Sequence, residues 1–199
     1  MKQTIEELWH GNIIPQEDSR TNSPEMKELL SYMARHHEEL EKSFTDEQKE
    51  IFILELQKLL KEGPQHAKTY GAGKYKTLPN TVGGIETVHP KSVSNEMQKL
   101  VFWYNSLKRV TFENIVDFHY RFETIHPFQD GNGGVGRLIA FKQCLENNLI
   151  PFYIDDTNKW LYYRGLKEWN NERNYLIETC RFGQDQYEKL MDYFGIKYI

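Results

Sequence analysis

Residues 126–137 read HPFQDGNGGVGR, and this stretch decides how the rest of the chain is interpreted. It holds a histidine, an aspartate and four glycines, and the apolar run LIAF follows directly at 138–141. A glycine-rich loop that leads into a helix can bind phosphate, because unpaired backbone N–H groups and the helix dipole both face the anion. With a histidine just upstream, the stretch indicates transfer of a phosphoryl or nucleotidyl group.

Each polar residue of this stretch has a chemical and a structural interpretation. His126 can accept a proton near neutral pH, as a general base must, although a histidine at a helix end is more often a cap. Asp130 can cap the next helix or hold Mg²⁺, which takes one or two carboxylates together with phosphate oxygens. Asn132 can order the turn and donate to a phosphate. Arg137 follows Gly133 by one helical turn, so its guanidinium can return to an anion at the helix start or remain solvated.

The bulk composition narrows the class of protein. A chain of 199 residues is most simply one compact unit, here an N-terminal helical region (1–62) packed on a main domain (63–199). The formal charge of -4 gives no reason to expect nucleic-acid binding. Cys144 and Cys180 suit buried thiols in a reducing compartment. Without a membrane-length apolar run or an apolar leader, we expect a cytoplasmic protein with neither a membrane nor a nucleic acid as partner.

Periodicity and capping patterns predict a mainly α chain with one small β-hairpin. Residues 78–82 and 85–88, joined by Gly83-Gly84, predict the hairpin, which must lie on a helical body because an isolated one is marginal. Phe128 is expected to wedge into the core and fix the loop. Helix starts are predicted at Ser23, Thr45, Ser94, Thr111 and the glycine-rich stretch, and two further helices over 156–169 and 171–194.

Residues 131–136 also match the spacing GxGxxG of a dinucleotide-binding loop, with Asp155 downstream. That loop needs a buried strand before it and a βαβ unit around it. The preceding residues 118–123, FHYRFE, have the pattern of an amphipathic helix. The dinucleotide interpretation is therefore rejected.

The stretch 126–137 resembles the signature of the Fic family, HxFx[DE]GNGRxxR, and every specified position but one is present in order. The resemblance covers roughly residues 65–195, including the hairpin, the helix before the motif and the pattern YYxxL at 162–166. It implies a mainly helical fold with a β-hairpin flap over the active site. It also implies transfer of AMP from ATP to a hydroxyl of a target protein. Residues 1–60 fit only as N-terminal helices.

The resemblance also implies roles for individual residues. His126 would be the general base, Asp130 would hold Mg²⁺ against the phosphates of ATP, and Arg137 would meet the terminal phosphates. The anion nest would be Gly131, Asn132 and Gly133, and the adenine pocket would include Tyr162, Tyr163 and Asn170. The flap, residues 77–89, would hold the target protein by strand addition. Homo-oligomerisation and self-modification are left open.

Gly134 is the one departure, because an arginine stands there in the signature. Loss of that arginine removes positive charge from the triphosphate site, which can lower the rate about 10²-fold. The chain is then a weak enzyme, an inactivated variant, or one that uses another cation such as Lys74 or Lys76. Two alternatives stay open. One is a silent fold that binds nucleotide or a protein partner, and the other is an enzyme that transfers another group, such as UMP, phosphate or phosphocholine.

Many relatives also carry an inhibitory Ser/Thr-x-x-x-Glu followed by Gly or Asn, whose glutamate pairs with the second arginine. Thr21 with Glu25, and Ser43 with Glu47, have this spacing, but Met26 and Gln48 follow instead. Such pairs also arise by chance in charged helices. Ser43 with Glu47 is the better candidate for an inhibitory pair, because it borders a long helix.

Overall fold

The computed structural model describes residues 44–61, 71–82 and 85–193. The predicted helix start at Ser23, the pair Thr21 and Glu25, Ser43 and the turn Gly83-Gly84 lie outside these residues. Within them the chain is mainly helical, as predicted. The helices are α1 (Asp46–Lys61), α2 (Pro90–Asn105), α3 (Phe112–Ile125), α4 (Asn132–Glu146), α5 (Lys159–Glu168) and α6 (Asn174–Tyr193), and the strands are β1 (Thr81–Val82) and β2 (Ile85–Glu86).

Two helices begin at the capping boxes that the sequence contains. Before α1, the Gln48 amide donates to Thr45 Oγ1 at 3.3 Å, and the Thr45 amide donates to Gln48 Oε1 at 3.0 Å. Before α3, Thr111 and Asn114 make the same reciprocal pair. Each box satisfies backbone donors that the first helical turn leaves unpaired, which explains why both starts were predictable from sequence.

Helix α2 begins at Pro90, so the predicted start at Ser94 was wrong. His89 has an extended backbone, and its Nδ1 accepts the amide of Lys91 at 3.3 Å. Proline is well suited to the first helical position, where its missing N–H would have no partner and its fixed φ already matches the helix. Pro90 therefore opens the helix, four residues before the predicted start.

The central helices are α3 and α4. Helix α3 packs against α2 and α4, α1 packs against α2 and α4, and α6 contacts both α3 and α5. Completely buried side chains from four helices form the core between them, among them Ile53, Met97, Ile115, Phe118, Phe122 and Ile139. Each such side chain contributes about 1.5–3 kcal/mol by leaving water. This packing fixes the end of α3 next to the start of α4.

The hairpin is shorter than predicted, with two residues in each strand. Thr81 pairs with Glu86 in antiparallel register, and the Thr87 amide donates to Asn80 O at 3.3 Å. The buried Lys76 lies beneath it and ties the hairpin to the helical body. Its ammonium donates to Asn80 Oδ1 at 2.7 Å, to Thr87 Oγ1 at 2.6 Å and to Ile125 O at 3.2 Å.

Both cysteines are buried free thiols, as expected. Burial raises the pKa of Cys144 to about 12 and raises that of Cys180 as well, so both are inert thiols near neutral pH. In the described part of the chain, no helix combines the length and apolar character that a membrane crossing requires.

Candidate active site

His126 lies at the C-terminal end of α3 in a left-handed conformation, with φ 51° and ψ 61°. Its amide closes the helix by donating to Phe122 O at 2.9 Å. A residue in this conformation turns the chain sharply away from the helix axis. The imidazole is therefore held at the first position of the glycine-rich loop, with its side chain only 19% exposed.

Phe128 and Asn132 brace the loop from inside. Phe128 is completely buried, as predicted, and its ring lies beside those of Tyr75 and Phe122. The Asn132 side chain accepts the Phe128 amide and donates to Phe128 O, both at 2.8 Å. Asn132 is itself buried, so its amide group orders the loop, and the role implied for its side chain at a phosphate has no support in this geometry.

The loop ends in an open helix start. Gly131 has φ 86°, a left-handed conformation that glycine adopts without strain, and no side chain among the described residues caps α4. The amides of residues 132–134 occupy the first turn, where an α-helix offers no backbone acceptor. These amides and the helix dipole make the start of α4 a suitable anion site.

Asp130 lies at the mouth of this helix start, and its side chain is 43% exposed. Its Oδ1 accepts the Gly131 amide at 2.7 Å, and its Oδ2 pairs with Lys61 Nζ at 2.7 Å. No three acidic, histidine or cysteine side chains of the described residues gather into a metal site. A single exposed carboxylate beside a phosphate site nevertheless fits Mg²⁺, which takes few protein ligands when phosphate oxygens complete its shell.

Arg137 runs back from the second turn of α4 toward the helix start. Its Nη1 lies 3.2 Å from the position that a Cβ would take at Gly133. This is the placement expected from their one-turn spacing. The guanidinium therefore lies beside the backbone amides that face the anion site.

A second group of polar residues lies behind Arg137 and was missed by the sequence analysis. Glu123 Oε2 lies 4.0 Å from His126 Nδ1, and Glu123 Oε1 is buried without a hydrogen bond of ordinary geometry to any described residue. His119 is completely buried and shares a 2.8 Å hydrogen bond with the Tyr162 hydroxyl. Glu123 and His119 lie one and two turns before His126 on one face of α3, which is the signal that could have revealed them.

Burial sets the protonation of this cluster. It raises the pKa of Glu123 to about 7, against the opposing charge of Arg137. It lowers the pKa of His119 to about 4, helped by Arg137. For His126, burial lowers the pKa, the Lys76 charge acts in the same direction, and the Glu123 backbone and Asp130 oppose it. His126 is therefore neutral near pH 7, the form that accepts a proton.

Comparison with known proteins identifies the family of this part of the chain. A model of the Fic/DOC family matches residues 47–144, and a second, of a family of unknown function (DUF6809), matches residues 1–63. Residues 47–144 form a Fic/DOC family domain. The Fic domain thus takes in α1 through most of α4, including the loop and the hairpin.

Curated relatives of the Fic domain carry the name protein adenylyltransferase. Fic-1 of Caenorhabditis elegans is 27% identical over 60% of this chain and 24% of its own length. A probable protein adenylyltransferase of Aquifex aeolicus is 31% identical over 48% of this chain and 29% of its own. Fic of Drosophila grimshawi is 28% identical over 72% of this chain and 30% of its own length. The chain therefore spans less than a third of the length of these relatives.

Solved structures support the fold. A Fic domain containing signaling protein from Bacteroides thetaiotaomicron aligns with a TM-score of 0.68 at 21% identity, covering 98% of this chain and 81% of that one. Fic-1 (aa134–508) from Caenorhabditis elegans aligns with a TM-score of 0.65 at 18% identity, covering 96% and 57%.

The structure separates the residues predicted for the adenine pocket of the Fic domain. Tyr162 is buried with its hydroxyl on His119, so in this arrangement its ring and hydroxyl pack in the interior. Tyr163 is 55% exposed on the same helix, and Asn170 is exposed in the turn after it. Only Tyr163 and Asn170 are thus open to a ligand, and their role in binding adenine stays a prediction.

The two lysines considered as substitutes for the missing arginine differ in burial. The ammonium of Lys76 is buried and already donates to three acceptors beneath the hairpin. Lys74 is exposed in the segment before it. A lysine that the structure does place at the helix start, beside Asp130, is Lys61 on α1, which was not among the sequence-based candidates.

Proposed function

We propose that this Fic domain is a protein adenylyltransferase, which transfers AMP from ATP to a Ser, Thr or Tyr hydroxyl of a target protein. The observation that carries the proposal is the loop between α3 and α4. It holds His126 at one end and an open helix start at the other, with Asp130 beside that start and Arg137 running back to it. The adenylyltransferase names of the curated relatives support the same activity.

The proposed reaction needs one proton acceptor. The target hydroxyl oxygen attacks the α-phosphorus of ATP, a new P–O bond forms, and the bond to the pyrophosphate leaving group breaks. His126 takes the hydroxyl proton, for which its neutral form is required. Because burial lowers the pKa of His126, that form is available at and below neutral pH.

The remaining groups position the phosphates and balance their charge. The amides at the start of α4 and the Arg137 guanidinium would bind phosphate oxygens. Asp130 would hold Mg²⁺, which neutralises charge on the phosphates when bound. Phosphoryl-type transfer depends mainly on such positioning and neutralisation, so no covalent intermediate with the protein is needed.

The flap is proposed to hold the target protein. Both residues of β1 are exposed, and Leu78 just before it is 64% exposed. An extended segment of the target that pairs with an exposed strand would be oriented through its backbone, with little demand on its sequence. Because Lys76 ties the flap to Ile125, a docked segment would lie next to His126.

The rival is a Fic fold that binds nucleotide without transferring it, and Gly134 is the observation that favours this rival. A Cβ at Gly134 would lie 3.4 Å from Leu60 Cδ1, an ordinary contact, so packing permits the first carbon of a side chain there. The signature's positive charge is therefore absent although packing does not exclude a side chain at this position. Transfer of a different phosphate-containing group is a variant of the same proposal.

The test is incubation with ATP labelled at the α-phosphate, with Mg²⁺, in the presence and absence of cell lysate. The unaltered chain is compared with His126→Ala, with Gly134→Arg, and with Gly134→Ala as the uncharged control. We expect label on protein that requires His126 and increases with Gly134→Arg but not with Gly134→Ala. Label that persists in His126→Ala would contradict the proposed base. No label in any variant, with ATP still bound, would favour the rival.

Self-modification is tested separately by the intact mass of the purified chain after incubation with ATP and Mg²⁺. An added AMP would support it. An unchanged mass, with label on lysate proteins, would restrict the activity to other targets.

A further inference from the structure

We propose that Lys61 is a phosphate-binding residue of this site and supplies the positive charge that Gly134 lacks. The inference rests on the proposed function, because it assigns a residue to the nucleotide phosphates of that reaction. It also predicts that the missing arginine is compensated from a different helix.

The first observation is the position of the Lys61 ammonium. Lys61 is the last residue of α1, and its Nζ lies 2.7 Å from Asp130 Oδ2 at the open start of α4. Its side chain is 22% exposed and that of Asp130 is 43% exposed, so the pair faces solvent at the mouth of the site. The charge therefore lies where phosphate oxygens would approach the helix.

The second observation is the close fit between Lys61 and Gly131. A Cβ at Gly131 would lie 2.9 Å from Lys61 Cε. Any side chain at this position would push the lysine away, and the positive φ of Gly131 disfavours one as well. The glycine thus serves two purposes, since it opens the helix start and lets the lysine stem cross over it.

The third observation connects Lys61 to the departure from the signature. Leu60, its neighbour on α1, is the side chain nearest to a Cβ at Gly134, at 3.4 Å. The end of α1 therefore borders the place where the arginine side chain would leave α4. The same end carries Lys61, so the helix that borders the position of the missing arginine also brings a positive charge to the start of α4.

The charges around the helix start favour a second cation there. Arg137 reaches the start of α4 on the Gly133 side, and Lys61 lies on the Gly131 side. A triphosphate carries more negative charge than one arginine and the helix dipole can balance. A partly exposed ion pair contributes only about 0–1 kcal/mol, so Lys61 can exchange Asp130 for a phosphate at little cost. Mg²⁺ at Asp130 would favour that exchange, because it competes for the same carboxylate.

The experiment is titration calorimetry of ATP and of adenosine, each with and without Mg²⁺. The chains compared are the unaltered one, Lys61→Ala, Lys61→Gln, Lys61→Arg and Lys61→Ala/Gly134→Arg. Lys99→Ala is the matched control, since Lys99 pairs with Glu96 at 2.7 Å on the exposed face of α2. Thermal unfolding confirms that each variant is folded, and Lys61→Gln retains most of the side chain without its charge if Lys61→Ala proves unstable.

We expect Lys61→Ala and Lys61→Gln to weaken ATP binding by roughly tenfold or more, the usual effect of losing a charged hydrogen bond. Adenosine binding should not change, because adenosine has no phosphate. Lys61→Arg should retain ATP binding, Gly134→Arg should restore it in Lys61→Ala, and Lys99→Ala should behave as the unaltered chain.

Two results would overturn the inference alone. One is ATP binding that is unaffected by Lys61→Ala. The other is ATP binding that becomes tighter in Lys61→Ala when Mg²⁺ is present, which would make Lys61 a competitor of the metal. A chain that binds neither ATP nor adenosine would overturn the proposed function and the inference with it.

Discussion

Glu123 Oε2 lies 4.0 Å from His126 Nδ1, and Oε1 of the same carboxyl lies 2.6 Å from the position that a Cβ would take at Gly136. One buried carboxyl thus links the candidate base, at the end of α3, to the helix that carries the phosphate-binding amides and Arg137. Helices α3 and α4 approach so closely here that a side chain at Gly136 would collide with this carboxyl. The first two predictions concern this contact.

Glu123→Gln should change how stability depends on pH. Burial raises the pKa of Glu123 to about 7 from its ordinary value of 4.5, so the folded state binds more protons than the unfolded state between these values. The Glu123 contribution to stability is therefore fully present below the lower value and is lost as pH rises toward the upper one. Over this window, the unfolding free energy of the unaltered chain should fall by on the order of 3 kcal/mol more than that of Glu123→Gln.

Urea denaturation of both chains at about pH 5 and about pH 8 measures this difference. The lowered pKa values of His119 and His126 act in the opposite direction, since they reduce stability as pH falls, but both chains share them. Parallel pH profiles for the two chains would show that the Glu123 carboxyl does not titrate in this window.

Gly136→Ala and Gly134→Ala should have opposite effects although both lie on α4. The added methyl at Gly136 would clash with Glu123 Oε1 at 2.6 Å and with Phe122 Cδ1 at 3.0 Å. We expect a loss of about 1–3 kcal/mol from this overpacking. At Gly134 the nearest atom is 3.4 Å away, so alanine should be neutral or stabilise the helix by up to about 1 kcal/mol. Chemical denaturation measures both, and equal losses would contradict the close contact at Gly136.

Lys76→Met should destabilise the chain and loosen the flap. It removes the ammonium from Asn80, Thr87 and the Ile125 carbonyl, and buried acceptors left without a donor cost about 1–3 kcal/mol. Lys74→Met, at an exposed lysine nearby, is the control and should change stability by less than about 0.5 kcal/mol. Hydrogen exchange of the Thr87 amide reports on the flap directly. Unchanged protection there would argue against Lys76 as its anchor.

Tyr162→Phe and Tyr163→Phe test whether the two tyrosines are equivalent. Removing the Tyr162 hydroxyl leaves His119 Nε2 buried without its 2.8 Å partner, and should cost about 1–3 kcal/mol. Tyr163 is 55% exposed, so the same change there should be nearly neutral for stability. Thermal unfolding distinguishes them. A neutral Tyr162→Phe that weakened ATP binding would instead support the adenine-pocket role implied by the resemblance.

Most of the helices could be predicted because their signals are local. The capping boxes at Thr45 and Thr111 each involve residues three positions apart, and the glycine-rich stretch marks the start of α4 by itself. The predicted start at 156 was too early. There the Asp155 side chain accepts the amides of Thr157 and Asn158 at 2.8 Å and 3.2 Å, so a turn replaces the first helical residues.

The sequence by itself determined the mainly helical class, the Fic-type motif, and the pairing of a histidine with a helix start, since each depends on residues close together in the chain. Only the tertiary structure decided which cation faces that helix start. Lys61 and Asp130 belong to different parts of the chain, and their ion pair depends on how α1 packs against α4. Burial of Tyr162 and the raised pKa of Glu123 likewise arise from packing between helices, because desolvation depends on which surfaces meet rather than on local sequence.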